Sequence, residues 1–285
     1  MLEVADGIYF ESRYRSGNVG CVATLEGAIL IDSPMLPSDA SDWLKQIGTV
    51  SREGIAFLIN TDYLVERVLG NCYFPAATIA HQLAWVEMQR YDESYLQRFL
   101  SHEKIPDSDL HLSRTRIVPP ELGFVKEMTI YTGERELRLR HVGGHTSASI
   151  MVHLSQSRVL FTGNVVTCGE HPSLGQANTL RWLHVLEQIR AMSDVEVIVP
   201  GRGGVCSLAD VDILIDYITR MRERVYENFL NDYTRRETVD KVKMQDFFPF
   251  QGDARDTMER RVRSSVERVY DEFKKEGEKK RATSG

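Results

Sequence analysis

Five strand-like runs in this chain each end on a turn made from Gly, Pro, Asp or Asn. They are GAILIDSP (Gly27–Pro34), IAFLINTD (Ile55–Asp62), RELRLRHVGG (Arg135–Gly144), SRVLFTGN (Ser157–Asn164) and VEVIVPG (Val195–Gly201). Short stretches rich in Ile, Val, Leu and Phe, punctuated in this way, read as strands. GIYFESRY and VGCVATLE precede them and ASIMVHLS lies among them. Helical patterns fall between. SDASDWLKQIGTV has Trp43, Leu44 and Ile47 on one face and Ser38 or Asp39 as a cap. HQLAWVEMQRYDESYLQRFL (His81–Leu100) and TLRWLHVLEQIRAM (Thr179–Met192) follow the same rule. Strands with intervening helices in both halves imply a layered α/β fold.

The texture changes at Ser207. Leu214, Ile218, Met221 and Val225 recur at helical spacing, and a Phe- and Pro-containing break, DFFPFQGD, leads into DTMERRVRSSVERVYDEFKKE. There Met258, Val262, Val266 and Tyr270 fall on one stripe. The expected organisation is a layered α/β domain over 1–206 and a C-terminal helical extension over 207–285 packing on it. The tail EGEKKRATSG is expected to be disordered. The charged helices suit a lid or packing layer, with a homodimer surface as the alternative.

A chain of 285 residues can bury a full core. Its formal charge of -6 speaks against a nucleic-acid binder, which usually carries a basic excess. Cys21, Cys72, Cys168 and Cys206 form no CxxC pair and read as buried free thiols. The N-terminal stretch lacks the pattern of a signal peptide, and no apolar run approaches membrane-spanning length, so a cytoplasmic protein with no membrane partner is expected.

Five turns, in order, resemble those of the metallo-β-lactamase superfamily. ILIDSP resembles an early strand ending in aspartate. NTDYLVERVLGN stands where that family has Thr-His-x-His-x-Asp-His-x-x-Gly-Asn, and VGGHTSAS resembles Gly-His-Thr-x-Gly-Ser. LFTGNVV resembles Phe-x-Gly-Asp, and IVPGRGG resembles Val-Pro-Gly-His-Gly. GEHPSLGQANTLRWLHVLEQI and SVERVYDEF are similar to a cyclase-like or glyoxalase-like branch of hydrolases. The resemblance implies a four-layer αββα sandwich, with a two-metal hydrolytic site at the strand ends.

Carried over residue by residue, that site departs from the family. The first metal would be held by histidines at 62, 64 and 145; the chain has Asp62, Leu64 and His145. The second would take aspartate at 66 and histidines at 67 and 202; the chain has Glu66, Arg67 and Arg202. The bridging aspartate position is Asn164. Leucine cannot ligate, and a guanidinium offers only donors and a permanent positive charge. The expectation is therefore no metal, and an ion-pair network in which Arg67 and Arg202 bond Asp62 and Glu66, with His145 and Asn164 filling the rest. Arg202→Ala should then destabilise far more than the surface change Arg261→Ala.

Plainer roles stand beside these. Asp62 suits an N-cap for the helix YLVERVLGN, and Glu66 and Arg67 suit its solvated face. Asp32 would hold its strand end by hydrogen bonds and, with His171, is counted beside Arg67, Arg202 and Asn164 in the ligand-binding or ion-pair group. His171 would line the pocket mouth or serve only its loop. His81, His102, His111, His141, His153 and His184 have no ligand spacing and read as structural or exposed.

Three functions follow from this reading. The first is a metal-free pseudoenzyme or binding protein for an anionic small molecule. The second is a divergent ester, lactone or thioester hydrolase with one Mn, Fe or Zn ion held by Asp62, Glu66, His145 and the Asn164 carbonyl. The third is a metal-free enzyme with His145 as general base, oriented by Asp62 or Glu66.

Overall fold

The computed structural model describes residues 1–106, 109, 115–133, 135–250 and 255–283. Two sheets stack face to face. The first holds seven strands in chain order: β1 Leu2–Ala5, β2 Ile8–Glu11, β3 Val19–Val22, β4 Ala28–Ile31, β5 Ile55–Ile59, β6 Ala77–His81 and β7 Leu122–Phe124. The second runs in the spatial order β12 (Val197–Arg202), β11 (Val159–Thr167), β10 (Ile150–Leu154), β9 (Arg135–His141) and β8 (Glu127–Thr132). Alternation along the strands gives each sheet two apolar faces. Ile8, Phe10, Ile29, Ile31, Ile59 and Ile79 meet Leu137, Leu139, Ile150, Val152, Phe161 and Val199 in the core between the sheets.

Helices cover both outer faces. On the first sheet, α1 (Pro37–Val50) lays Ala40, Trp43 and Ile47 against Cys21, Leu30 and Leu58. Pro37 opens α1, so Ser38 and Asp39 lie inside its first turn and the expected side-chain cap is not made. The periodic stretch after His81 is two helices, α3 (Gln82–Met88) and α4 (Glu93–His102), with α4 capped by Asp92. Between β5 and β6 lies the short α2 (Val65–Val68).

On the second sheet, α5 (Thr179–Arg190) and the C-terminal helices α6 (Leu208–Leu230), α7 (Arg235–Lys241) and α8 (Arg255–Thr283) form the outer layer. Trp182, Leu186, Leu214, Ile218, Val225 and Val266 share one apolar cluster with Leu160 and Ile198 of the sheet. The cluster runs without interruption across residue 207, so the C-terminal helices complete the fourth layer. The expected disorder of the tail is corrected over Glu276–Thr283, which continues α8; Ser284 and Gly285 lie outside the described residues. Among the described residues no helix is long and apolar enough to cross a membrane.

Register brings the strand-end turns together. β4 and β5 are parallel with Ile31 beside Ile59, which sets Asp32 next to Thr61. β11 and β12 are parallel with Gly163 beside Pro200 and Thr167 beside Arg202, which sets Asn164 next to Gly201.

Candidate functional site

Asp32 leaves β4 in the left-handed region (φ 58°). Its carboxylate accepts from the Thr61 N–H (2.8 Å) and the Thr61 hydroxyl (2.6 Å), so it does hold the strand end. Buried beyond reach of water, it is pushed up to about 6; the nearby Arg67 pulls the other way, and burial dominates. Thr61 also ties the two sheets, its carbonyl accepting from the Ile150 N–H at 2.8 Å.

Arg67 sits on α2 with its side chain 0 % exposed, which rules out a solvated helix face. Its Nη1 donates to the Asn18 carbonyl (2.7 Å) and lies 3.6 Å from Asp32 Oδ2. Its Nη2 donates to the Asn164 side-chain oxygen and to the Gly201 carbonyl (2.5 Å). The Arg67 carbonyl accepts from Ser33 Oγ (3.1 Å) and Asn60 Nδ2 (3.3 Å), which fixes the backbone below the guanidinium. Gly17, with φ 103°, lets the chain pass over it: a Cβ there would stand 2.8 Å from Arg67 Nη2 and 2.5 Å from the Gly201 oxygen.

This geometry corrects the expected network. Arg67 pairs with Asp32 and with backbone carbonyls, not with Asp62 or Glu66. Residue type cannot advertise a carbonyl as a partner, and nothing in the sequence marks Asn18 as facing a helix that follows β5. Asp62 is buried and accepts from the Leu64 N–H at 2.8 Å. That closes a turn ahead of α2, whose N-cap is Leu64 and not Asp62. Glu66 is half-buried and, among the described residues, makes no ion pair or side-chain hydrogen bond.

Arg202 also departs from expectation. Among the described residues it hydrogen-bonds only the carbonyls of Arg15 (3.5 Å) and Ser16 (3.3 Å), both long bonds, and pairs with no carboxylate. Burial first, and then Arg67, lower its affinity for the proton. Arg261, taken from sequence as a surface residue, instead bridges Glu170 (2.9 Å) and the His171 carbonyl (2.8 Å) in a half-buried setting. The predicted order of the two alanine substitutions therefore reverses.

His145 follows Gly143 and Gly144, both at positive φ, in the turn between β9 and β10. Its ring stands edge-on to Trp182 at 5.1 Å. Its Nδ1 is buried, 3.6 Å from Asp62 Oδ2, and has no hydrogen-bond partner. His171 is fully buried, with Nδ1 on the Tyr217 hydroxyl (2.9 Å) and Nε2 on the Phe248 carbonyl (2.7 Å). His171 does line the cleft, but both ring nitrogens are occupied within the protein, so the ring braces the wall and keeps no nitrogen for a ligand or an ion pair. Of the other histidines, His81 and His141 stack on each other at 3.7 Å, His102 and His184 are exposed and His153 is half-buried; His111 lies outside the described residues.

These groups open onto a cleft of about 220 Å³. His145, Asn164, Leu64, Glu66 and Arg202 line it, and α8 contributes Thr257, Arg260, Arg261 and Ser264. Sequence reading missed this α8 wall. Its signal was present as polar residues spaced i, i+3, i+4 and i+7 alongside the apolar stripe. Among the described residues, no three His, Cys, Asp or Glu side chains converge so that they could hold a metal ion.

Comparison with solved structures agrees with the topology. The chain is similar to a metallo-beta-lactamase family protein from Thermus thermophilus, with a TM-score of 0.68 and 17% identity, covering 96% of this chain and 95% of that one. It is similar to a metallo-beta-lactamase from Pontibacter korlensis (TM-score 0.56, 18% identity, 76% and 97% covered). It is also similar to a stereoselective inverting sec-alkylsulfatase from Pseudomonas sp. (TM-score 0.66, 12% identity, 95% and 50% covered). No protein-family model and no curated protein sequence matches the chain. At these identities the likeness is one of fold: the chain has the metallo-β-lactamase fold.

Proposed function

We propose that this metallo-β-lactamase-fold chain works without the fold's metal pair and binds a small anionic molecule in the cleft, as a pseudoenzyme or binding protein. The observation that carries the reading is the Arg67 guanidinium, seated among the Asn164, Gly201 and Asn18 oxygens with Asp32 alongside. The carbonyl that Asn164 could lend to an ion is already used by a resident cation. A divalent ion there would meet a fixed positive charge at contact range, and the one carboxylate beside it, Asp32, is already paired with Arg67. Leu64 supplies no donor atom, and Arg202 supplies only N–H groups. Asp62 and His145 remain as adjacent candidate ligands, short of the three or four protein ligands that a zinc site uses.

Elemental analysis after growth in medium supplemented with zinc, manganese and iron tests the reading. The expected result is substoichiometric metal in the purified protein, with no melting-temperature shift on adding these ions. A stoichiometric ion that survives gel filtration would overturn it.

One observation favours a second reading, a metal-free hydrolase. His145 lines the cleft and its Nδ1 faces the Asp62 carboxylate. An Asp62–His145 pair could accept a proton from a bound water or hydroxyl, with Asp62 steadying the imidazolium and Arg202 meeting negative charge on the substrate. Glu66 has no such contact with the ring. Turnover of a small ester, lactone or thioester that survives chelation and vanishes in His145→Ala would select this reading over the first.

A further inference from the structure

We propose that the cleft is a site for a tetrahedral oxyanion, the phosphoryl or sulfuryl group of a small monoester, held between Arg202 on β12 and the Thr257, Arg260 and Ser264 face of α8. It rests on the metal-free reading of the cleft and names the class of ligand.

Charge is the first support. Four arginines, Arg15, Arg202, Arg260 and Arg261, line the cleft against two glutamates, Glu66 and Glu103. Arg261 is neutralised by Glu170. Arg15, Arg202 and Arg260 make no ion pair among the described residues. Arg15 donates to the Glu103 carbonyl, and Arg260 donates to the Thr257 hydroxyl (3.2 Å). Arg202 has only its two long carbonyl bonds. These guanidinium groups therefore keep donors in reserve, beside a cation, Arg67, that raises the local potential.

Geometry is the second support. Thr257, Arg260, Arg261 and Ser264 are successive positions on one face of α8, and Arg202 looks in from the strand-end wall. Donors converging from two walls suit an anion whose oxygens point in several directions better than a flat carboxylate. Arginine forks and hydroxyls are the usual partners of such a group. Arg261 serves as a positioning residue: its bonds to Glu170 and the His171 carbonyl pin α8 against the loop ahead of α5. Size is the third support. A cleft of about 220 Å³ holds roughly seven waters at about 30 Å³ each, which suits a tetrahedral head group on a short body and not a polymer.

The test is calorimetric titration of the full chain at low ionic strength with inorganic phosphate, sulfate and acetate, on preparations whose metal content has been measured. The expected result is millimolar or tighter binding of phosphate or sulfate, and weaker binding of acetate. Affinity should fall about tenfold or more in Arg260→Ala and in Arg202→Ala. It should recover partly in Arg260→Lys and stay unchanged in Arg263→Ala, which lies on the same helix paired to Asp240. Circular dichroism verifies that each variant is folded. No phosphate or sulfate binding by metal-free protein, equal affinity for acetate, or indifference to Arg260 and Arg202 would overturn this proposal and leave the metal-free reading standing. Phosphate bound only by protein that carries a stoichiometric metal would overturn both.

Discussion

Two arginines, one on α2 and one at the end of β12, have opposite fates. Arg67 is sealed in the interior, with its two Nη atoms committed to three oxygens and to the flank of Asp32. Arg202, at the next strand end, faces the cleft with two long bonds to carbonyls. The same side chain is structural in one place and available in the other, and what differs is the surroundings. A buried guanidinium persists only if its charge and most of its donors are met; Asp32 meets the charge, the Asn18 and Gly201 carbonyls with Asn164 take the two Nη groups, and Nε has no hydrogen-bond partner among the described residues. A half-buried one can leave donors to water, and water is what a ligand displaces.

The largest test of that contrast is thermodynamic. Arg67→Ala leaves the Asp32 carboxylate buried without its partner, and chemical denaturation should record a loss of about 3–5 kcal/mol. Arg202→Ala should cost about 1 kcal/mol or less. Equal losses would erase the distinction between the two sites.

The pH dependence of stability sharpens it. Burial raises Asp32 to about 6 in the folded protein, above the roughly 3.9 of an exposed aspartate. The folded state therefore binds this proton more tightly than the unfolded state does. The stability that Asp32 contributes is fully present below about pH 4 and is lost as pH rises to about 6. Unfolding free energies measured across that window should show the decline in wild type, and Asp32→Asn should lack that component. An identical pH profile in the variant would mean that Asp32 is not the buried partner described.

Backbone crowding over the guanidinium gives a smaller effect. Gly17→Ala puts a Cβ against Arg67 and the Gly201 carbonyl at a positive φ, and should cost about 1–3 kcal/mol. Smaller again is Arg261→Ala, which removes one half-buried pair and should cost about 1 kcal/mol, at least as much as Arg202→Ala. A neutral Arg261→Ala beside a costly Arg202→Ala would restore the order predicted from sequence alone.

The layered fold and the location of the cleft were legible because Gly, Pro, Asp and Asn must punctuate strand ends, and those turns sit on the primary sequence as ILIDSP, NTD, VGGHT, FTGN and VPGRGG. That Arg67 meets Asn164 was legible for the same reason. Its partners among the backbone carbonyls were not. Asp62 and Glu66 were favoured because they are acids at ligand positions of the resemblance, yet Asp62 is spent on the Leu64 N–H and on facing His145. Glu66 points elsewhere on a helix of only four residues. Asp32 and the carbonyls of Asn18 and Gly201 reach Arg67 only through the pairing of β4 with β5 and of β11 with β12. Arg261 was misjudged because a charged residue beside an apolar stripe reads as solvated until another wall is known to face it.

The central claim is most directly tested by an anomalous difference map recorded at the zinc edge from crystals grown with excess zinc. The account predicts planar guanidinium density joining Asn164 to the Asn18 and Gly201 carbonyls, and no anomalous peak among Asp32, Asp62, His145 and Asn164. A peak there, ligated by those side chains with Arg67 swung out of its cradle, would contradict it.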